Sequence, residues 1–250
     1  MANYKDKNKE KYKKILFIPG WGFCNEIWKK FASEFFDLNN CIFIDFYEYL
    51  YNANGDIKVA ANEVLNDYKD IDLVFSWSLG CFMAKEIEYL LVKNPIKIVY
   101  VAYTPNFMQT DSWNFGFNIK TINKLRLELE KDREKALKNF YLLILGIHKN
   151  KNFFYKIMLE HIDYVMKVNL KKLYIALDVL QTCSYNLSLH NEKNKNLYIY
   201  GKEDSIVSSN IAHLVEKNEP SAKVITIINS SHIPFLTNEE EFAEILRKNI

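Results

Sequence analysis

Ser78 stands at the centre of Ser76-Trp77-Ser78-Leu79-Gly80, after the apolar run Asp72-Leu73-Val74-Phe75 and before the helix-compatible stretch that starts at Cys81-Phe82-Met83. A strand, a tight turn carrying serine and then a helix form a nucleophile elbow. The turn strains the serine backbone, so the positions two before and two after must be small, and Ser76 and Gly80 meet that demand. The helix start behind the serine offers the N–H of Leu79 to an oxyanion, which is half of an acyl-transfer site. Serine also needs a base to take its proton, and that base needs a carboxylate to orient it. Of the five histidines, His148 and His161 fall within a helical region, His190 at its end and His213 inside a further helix. Only His232, in Asn229-Ser230-Ser231-His232-Ile233-Pro234, follows a strand pattern in a loop, and Asp204, in Gly201-Lys202-Glu203-Asp204, holds the equivalent place after another strand. The second oxyanion donor is expected from Ile18-Pro19-Gly20-Trp21-Gly22, through the backbone N–H of Trp21, whose indole would wall the pocket. Taken singly, each piece reads as turn punctuation or core; together, in this order at three strand ends, they read as a catalytic triad.

Those strand ends require a particular scaffold. Strand patterns at residues 14–18, 41–45, 72–75 and 96–101 alternate with helical ones at 26–36, 57–68 and 79–93, which predicts βαβ units on a mostly parallel sheet with helices on both faces. From 105 to 190 the strand signal stops and helices are expected at 119–130, 133–145, 153–168 and 170–182. Strands return at 196–200 and 224–228, with helices at 208–217 and 239–248. The expected organisation is an α/β core from 1–104 and 191–250 with a helical lid inserted at 105–190. The order Ser, Asp, His on such a core is that of the α/β-hydrolase fold.

Composition narrows the function classes. A chain of 250 residues that is 49% hydrophobic can bury one sizeable domain. No run approaches the roughly 18 to 20 apolar residues of a membrane span, and the Lys- and Asn-rich start has no secretory pattern, so a cytoplasmic chain is expected. Cys24, Cys41, Cys81 and Cys183 lack metal or disulfide spacing and are read as reduced, with Cys81 structural. A net charge of +2 gives no case for nucleic acid, but residues 105–190 carry 13 Lys and Arg against 8 Asp and Glu, while the chain outside that segment and the first fourteen residues sums to −7.

Four segments resemble one α/β-hydrolase family, the pimeloyl-[acyl-carrier-protein] methyl ester esterases of biotin biosynthesis: FIPGWGFCNEIW (Phe17 to Trp28), WSLG (Trp77 to Gly80), YIYGKEDSIV (Tyr198 to Val207) and SHIPFLTNEEEF (Ser231 to Phe242). In the helical region the resemblance extends to TPNFMQTDSW (Thr104 to Trp113) and ALDVLQTCSYNL (Ala176 to Leu187). It implies a serine carboxylesterase with nucleophile Ser78, acid Asp204 and base His232, using no metal or organic cofactor. Substrate contacts are implied at Trp21, Leu79 and the stretch Phe140, Tyr141, Leu142, Leu143 and Ile144. The chain departs from the family where Pro19 replaces a histidine, Ser76 replaces the first elbow glycine, and Asp45-Phe46-Tyr47-Glu48 replaces a glycine-rich loop. The implied partner is an acyl carrier protein bearing the pimeloyl methyl ester. Such a strongly acidic partner would meet outward-facing Arg133, Lys135 and Lys138 on helix 133–145, with Ala136, Leu137, Phe140 and Ile144 turned to the pocket. A monomer is expected. The alternatives are a short-chain carboxylesterase or acyl thioesterase on the same triad, and, from another class, a non-catalytic ligand-binding hydrolase relative.

Overall fold

The computed structural model describes residues 11–187 and 195–250. His190, the expected 190/191 boundary and most of the Lys-rich tail lie outside the described residues. The first half alternates strand and helix: β1 (Ile15–Ile18), α1 (Glu26–Phe35), β2 (Cys41–Phe43), α2 (Phe46–Asn52), α3 (Ile57–Asp67), β3 (Leu73–Trp77), α4 (Gly80–Leu90) and β4 (Lys97–Val101). Five helices then intervene among the described residues: α5 (Ile119–Lys131), α6 (Arg133–Leu145), α7 (Lys151–Leu159), α8 (Ile162–Lys167) and α9 (Leu170–Thr182). The sheet resumes with β5 (Leu197–Gly201), α10 (Ile211–Asn218), β6 (Lys223–Ile227), α11 (Pro234–Thr237) and α12 (Glu239–Asn249).

The six strands pair in parallel in the order β2-β1-β3-β4-β5-β6. This is the α/β-hydrolase fold with a helical insert between β4 and β5. Chain direction along the sheet reverses between β1 and β3, and the crevice at the carboxyl ends of those strands is where open α/β sheets bind ligands. Both faces are covered, because β1 and β3 are buried along their whole length although successive side chains point to opposite faces. On one face Phe17 and Phe75, adjacent in register, stack at 5.1 Å and pack against Trp28 and Phe36. On the other face lies a charged cluster from α4. Lys85 Nζ reaches Glu88 at 2.8 Å and Glu219 at 3.1 Å, all three buried, while Tyr100 and Tyr198 hydroxyls donate to the same two carboxylates.

Several elements differ from the sequence expectation, α2 and α11 among them, which no expected helix covers. The helix expected over 153–168 breaks into α7 and α8, where the Glu160 and His161 amides bond only three residues back, to Ile157 and Met158. The turn brings the His161 ring against Phe23 at 6.3 Å, and burial there lowers the imidazole pKa. The strand expected over 41–45 ends at Phe43, because Asp45 caps α2 by accepting from the Glu48 N–H at 3.0 Å.

Candidate active site

Ser78 leaves β3 with φ +54°, a left-handed conformation that non-glycine residues rarely adopt, and its N–H donates to Val101 O at 2.9 Å. Gly80, two residues on, is required sterically: a Cβ there would sit 2.5 Å from Pro19 O and 2.9 Å from an Ile18 methyl. Ser76 is fully buried and donates its hydroxyl to Val99 O at 3.3 Å, so a small polar residue is tolerated where the resemblance leads one to expect glycine.

The three chemistry-bearing side chains meet. Ser78 Oγ lies 2.8 Å from His232 Nε2, and His232 Nδ1 lies 2.7 Å from Asp204 Oδ2. Hydrogen positions follow from the bonding pattern. Asp204 Oδ1 accepts the backbone N–H groups of Ile206 at 2.7 Å and Val207 at 2.9 Å, and Oδ2 can only accept, so Nδ1 carries the proton and Nε2 is left to accept from Ser78. Loop 229–233 is anchored by Trp77, whose indole donates to His232 O at 2.8 Å, and by the His232 N–H, which donates to Ile144 O at 3.3 Å. Of the other described histidines, His148 Nδ1 accepts from the Asn150 N–H, His213 faces Glu216, and His161 lies beside Phe23 with its Nδ1 buried and without a hydrogen-bond partner among the described residues. Cys81 lies behind the elbow with its thiol on Val101 O, and burial pushes its pKa up to about 12, as expected for a structural thiol.

Ser78 opens into a cavity of about 190 Å³ with largely apolar walls: Trp21 from the loop after β1, Phe107 and Phe117 from the start of the insert before α5, Ile122 and Leu125 from α5, Ala136, Phe140 and Leu143 from α6, Leu177 and Leu180 from α9, and Ile206 beside the acid. The backbone N–H groups of Trp21, in the loop after β1, and of Leu79, the residue after Ser78, have no protein acceptor among the described residues. The Trp21 ring meets Phe140 edge-on at 4.8 Å, and its indole N–H donates to Leu173 O.

Several expected contacts need correction. Of the stretch Phe140, Tyr141, Leu142, Leu143 and Ile144, only Phe140 and Leu143 line the cavity, since successive residues on a helix point about 100° apart and one face carries positions such as 136, 140 and 143. Tyr141 turns to the core, where its hydroxyl donates to Gly22 O at 2.9 Å, and Leu137 and Ile144 are buried off the cavity. The side chain of Leu79 is likewise core. Arg133 does not face outward: its guanidinium donates to the carbonyls of Val165 and Val168, closing the end of α8, and its Nε is buried. Lys138 and Lys135 do face solvent, Lys138 in an exposed pair with Glu134. Sequence reasoning missed Phe107, Phe117, Leu177, Leu180 and Ile206, whose apolar character carries no signal of which face they turn. It also missed Tyr47.

Among the described residues no cluster of three or more His, Cys, Asp or Glu side chains is placed to hold a metal, and no helix is long and apolar enough to cross a membrane.

No family model matches the chain. It is similar to the pimeloyl-[acyl-carrier protein] methyl ester esterase of Wigglesworthia glossinidia brevipalpis, 28% identical over 244 residues, covering 93% of this chain and 92% of the relative. The enzyme of the same name from Legionella pneumophila strain Paris is 24% identical over 235 residues, with 93% and 92% covered. Among solved structures, an esterase from Exiguobacterium antarcticum superposes with a TM-score of 0.76 at 17% identity, covering 94% of this chain and 91% of that one. A hydrolase from Oleispira antarctica gives 0.74 at 15% identity, with 95% and 92% covered.

Proposed function

We propose that this relative of the pimeloyl-[acyl-carrier protein] methyl ester esterases, within the α/β-hydrolases, is a serine carboxylesterase that hydrolyses the methyl ester of a pimeloyl chain carried on acyl carrier protein, releasing methanol. The observation that carries the reading is the continuous line Asp204, His232, Ser78, bonded at 2.7 and 2.8 Å and ending in an apolar cavity. Ser78 Oγ attacks the ester carbonyl as its proton passes to His232 Nε2, and Asp204 stabilises the imidazolium. The oxyanion is received by the N–H groups of Trp21 and Leu79. Imidazolium then protonates the departing methoxide, water attacks the acyl-serine with its proton taken by the same nitrogen, and the carboxylate leaves as Ser78 is restored. No step calls for a metal or organic cofactor.

An aliphatic chain fits the cavity walls, and the surface beside them suits an acidic carrier. From Lys135 to Leu159 the sequence holds five lysines and no Asp or Glu, and Leu143, which lines the cavity, is itself exposed within that stretch. The reaction belongs in the cytoplasm, where acyl chains are elongated on their carrier. Purified protein given pimeloyl-carrier methyl ester and, separately, free short-chain esters tests the reading. Preference for the carrier-bound ester by at least about tenfold in kcat/KM is expected, a margin of roughly 1.4 kcal/mol. Equal or better turnover of the free esters would make this a short-chain carboxylesterase. Failure of Ser78 to take up a fluorophosphonate would remove the hydrolase reading itself.

A further inference from the structure

We infer that Tyr47 and Tyr141 are positioning residues that clamp the backbone of Gly22, the residue after Trp21, and thereby aim the Trp21 N–H at the reacting carbonyl oxygen. The inference rests on the reading of Trp21 as an oxyanion donor.

The Gly22 backbone is held at both ends. Its N–H donates to the Tyr47 hydroxyl at 2.8 Å and its carbonyl accepts from the Tyr141 hydroxyl at 2.9 Å. Both rings are buried, at 1% and 0% exposure. Burial pushes the Tyr47 pKa well above the ordinary phenol value, so the group facing the amide is a neutral hydroxyl. A third anchor comes from the Trp21 indole on Leu173 O. The three partners belong to α2, α6 and α9, so a loop of few residues is fixed from three separate directions. Gly22 itself has φ +80°, and a Cβ there would press on the Phe140 ring at 3.0 Å, so the turn can neither shift nor take a side chain without disturbing the cavity wall. An oxyanion donor is effective because it is already in place before charge develops. A backbone N–H on a turn depends for that on whatever fixes the adjoining peptide. Tyr47 stands in the segment where the resembled family has a glycine-rich loop, and here a capped helix delivers a hydroxyl to Gly22 instead.

A purely structural role predicts that losing a hydroxyl lowers stability and leaves the kinetics of folded enzyme alone. Positioning predicts a selective loss of affinity for the oxyanion. The experiment compares wild type, Tyr47→Phe, Tyr141→Phe and, as a control, Tyr49→Phe, whose hydroxyl bonds Asp67 at the surface. For each, kcat and KM for a simple methyl ester are measured with the inhibition constant of a trifluoromethyl ketone, which forms a tetrahedral oxyanion on the serine. Tyr47→Phe and Tyr141→Phe should each weaken the ketone and lower kcat/KM in parallel, by about 10- to 100-fold, with KM within about twofold. Tyr49→Phe should match wild type. Should either clamp variant prove too unstable to assay, the other carries the same comparison. Ketone affinity and kcat unchanged in a folded clamp variant, or a rise in KM alone, would overturn the inference while leaving the hydrolase reading intact. A wild-type protein that neither hydrolyses any ester nor binds the ketone would remove the hydrolase reading and this inference together.

Discussion

Replacing Asp204 with asparagine tests the proton inventory of the site. The asparagine side chain has the same shape but only one acceptor oxygen, and that oxygen is already claimed by the N–H groups of Ile206 and Val207 at 2.7 and 2.9 Å. The amide NH2 must therefore turn toward His232 Nδ1, where Asp204 Oδ2 stood at 2.7 Å. A donor facing Nδ1 moves the imidazole proton to Nε2, which then points an N–H at Ser78 Oγ instead of accepting its proton. The nucleophile keeps its neighbour but loses its base. A wrong-tautomer penalty of this kind is about 10⁴-fold in kcat in serine proteases, roughly 5 kcal/mol of transition-state stabilisation. Because the two backbone bonds persist, the melting temperature should stay within a few degrees of wild type. The assay is kcat for a methyl ester, with a thermal melt alongside. As a control, Asp178→Asn removes a surface carboxylate paired with Arg126 and should be close to neutral. A loss below about tenfold for Asp204→Asn in folded protein, or equal losses for the two variants, would refute the tautomer argument.

Ser78→Ala should abolish fluorophosphonate labelling and lower ester turnover by at least about 10³-fold with the fold unchanged, since little packing is lost; labelling that persists in Ser78→Ala would point to another nucleophile. Gly80→Ala should cost about 1 to 3 kcal/mol, because its methyl meets Pro19 O at 2.5 Å, and should lower kcat as well by pushing the loop that carries Trp21; a neutral thermal melt would contradict the packing. Lys85→Met strands two buried carboxylates and should cost about 3 to 5 kcal/mol, on the order of 10 °C in melting temperature. Burial alone would pull the Lys85 pKa down, but Glu88 and Glu219 outweigh it and hold it above the ordinary lysine value. The lysine's contribution to stability is thus complete below the ordinary lysine range and is lost as pH climbs through the raised value. Alkaline melts should accordingly show the gap between wild type and Lys85→Met closing above about pH 10.5, the ordinary lysine value, and a constant gap would count against this assignment.

The parallel sheet was legible because its strands are short β-branched and aromatic runs set at βαβ spacing. The helical insert was legible because that spacing stops. The triad was legible because serine, aspartate and histidine each follow a strand, a position in sequence that fixes a position in space. What escaped was decided by tertiary contact. Helix α2 is announced only by Asp45-x-x-Glu48, a capping pattern set against β-prone residues on both sides. The break between α7 and α8 leaves a continuous apolar periodicity in sequence and depends on where His161 packs. Of the α6 face expected at Ala136, Leu137, Phe140 and Ile144, Ala136 and Phe140 line the cavity, and of the five consecutive contacts the resemblance implies at 140–144 a helix can turn only two or three to one surface. Arg133 looked like an exposed cation because its acceptors, Val165 O and Val168 O, are carbonyls some thirty residues away that any residue type supplies.

The indole of Trp77 holding the backbone of His232 has a consequence for how such an enzyme can change. The residue that precedes the nucleophile also fixes the loop that bears the base, so the proton relay is referenced to one strand of the sheet, and the His232 backbone meets the insert through a bond from its N–H to Ile144 O. A backbone carbonyl survives substitution of its side chain. Residues of α5, α6 and α9 that line the acyl cavity are therefore open to replacement, by drift or by design, without resetting the proton relay. Libraries confined to Ile122, Leu125, Leu143, Leu177 and Leu180, with Phe140 kept against Trp21, would vary which chain is accepted while leaving the capacity to cleave it in place.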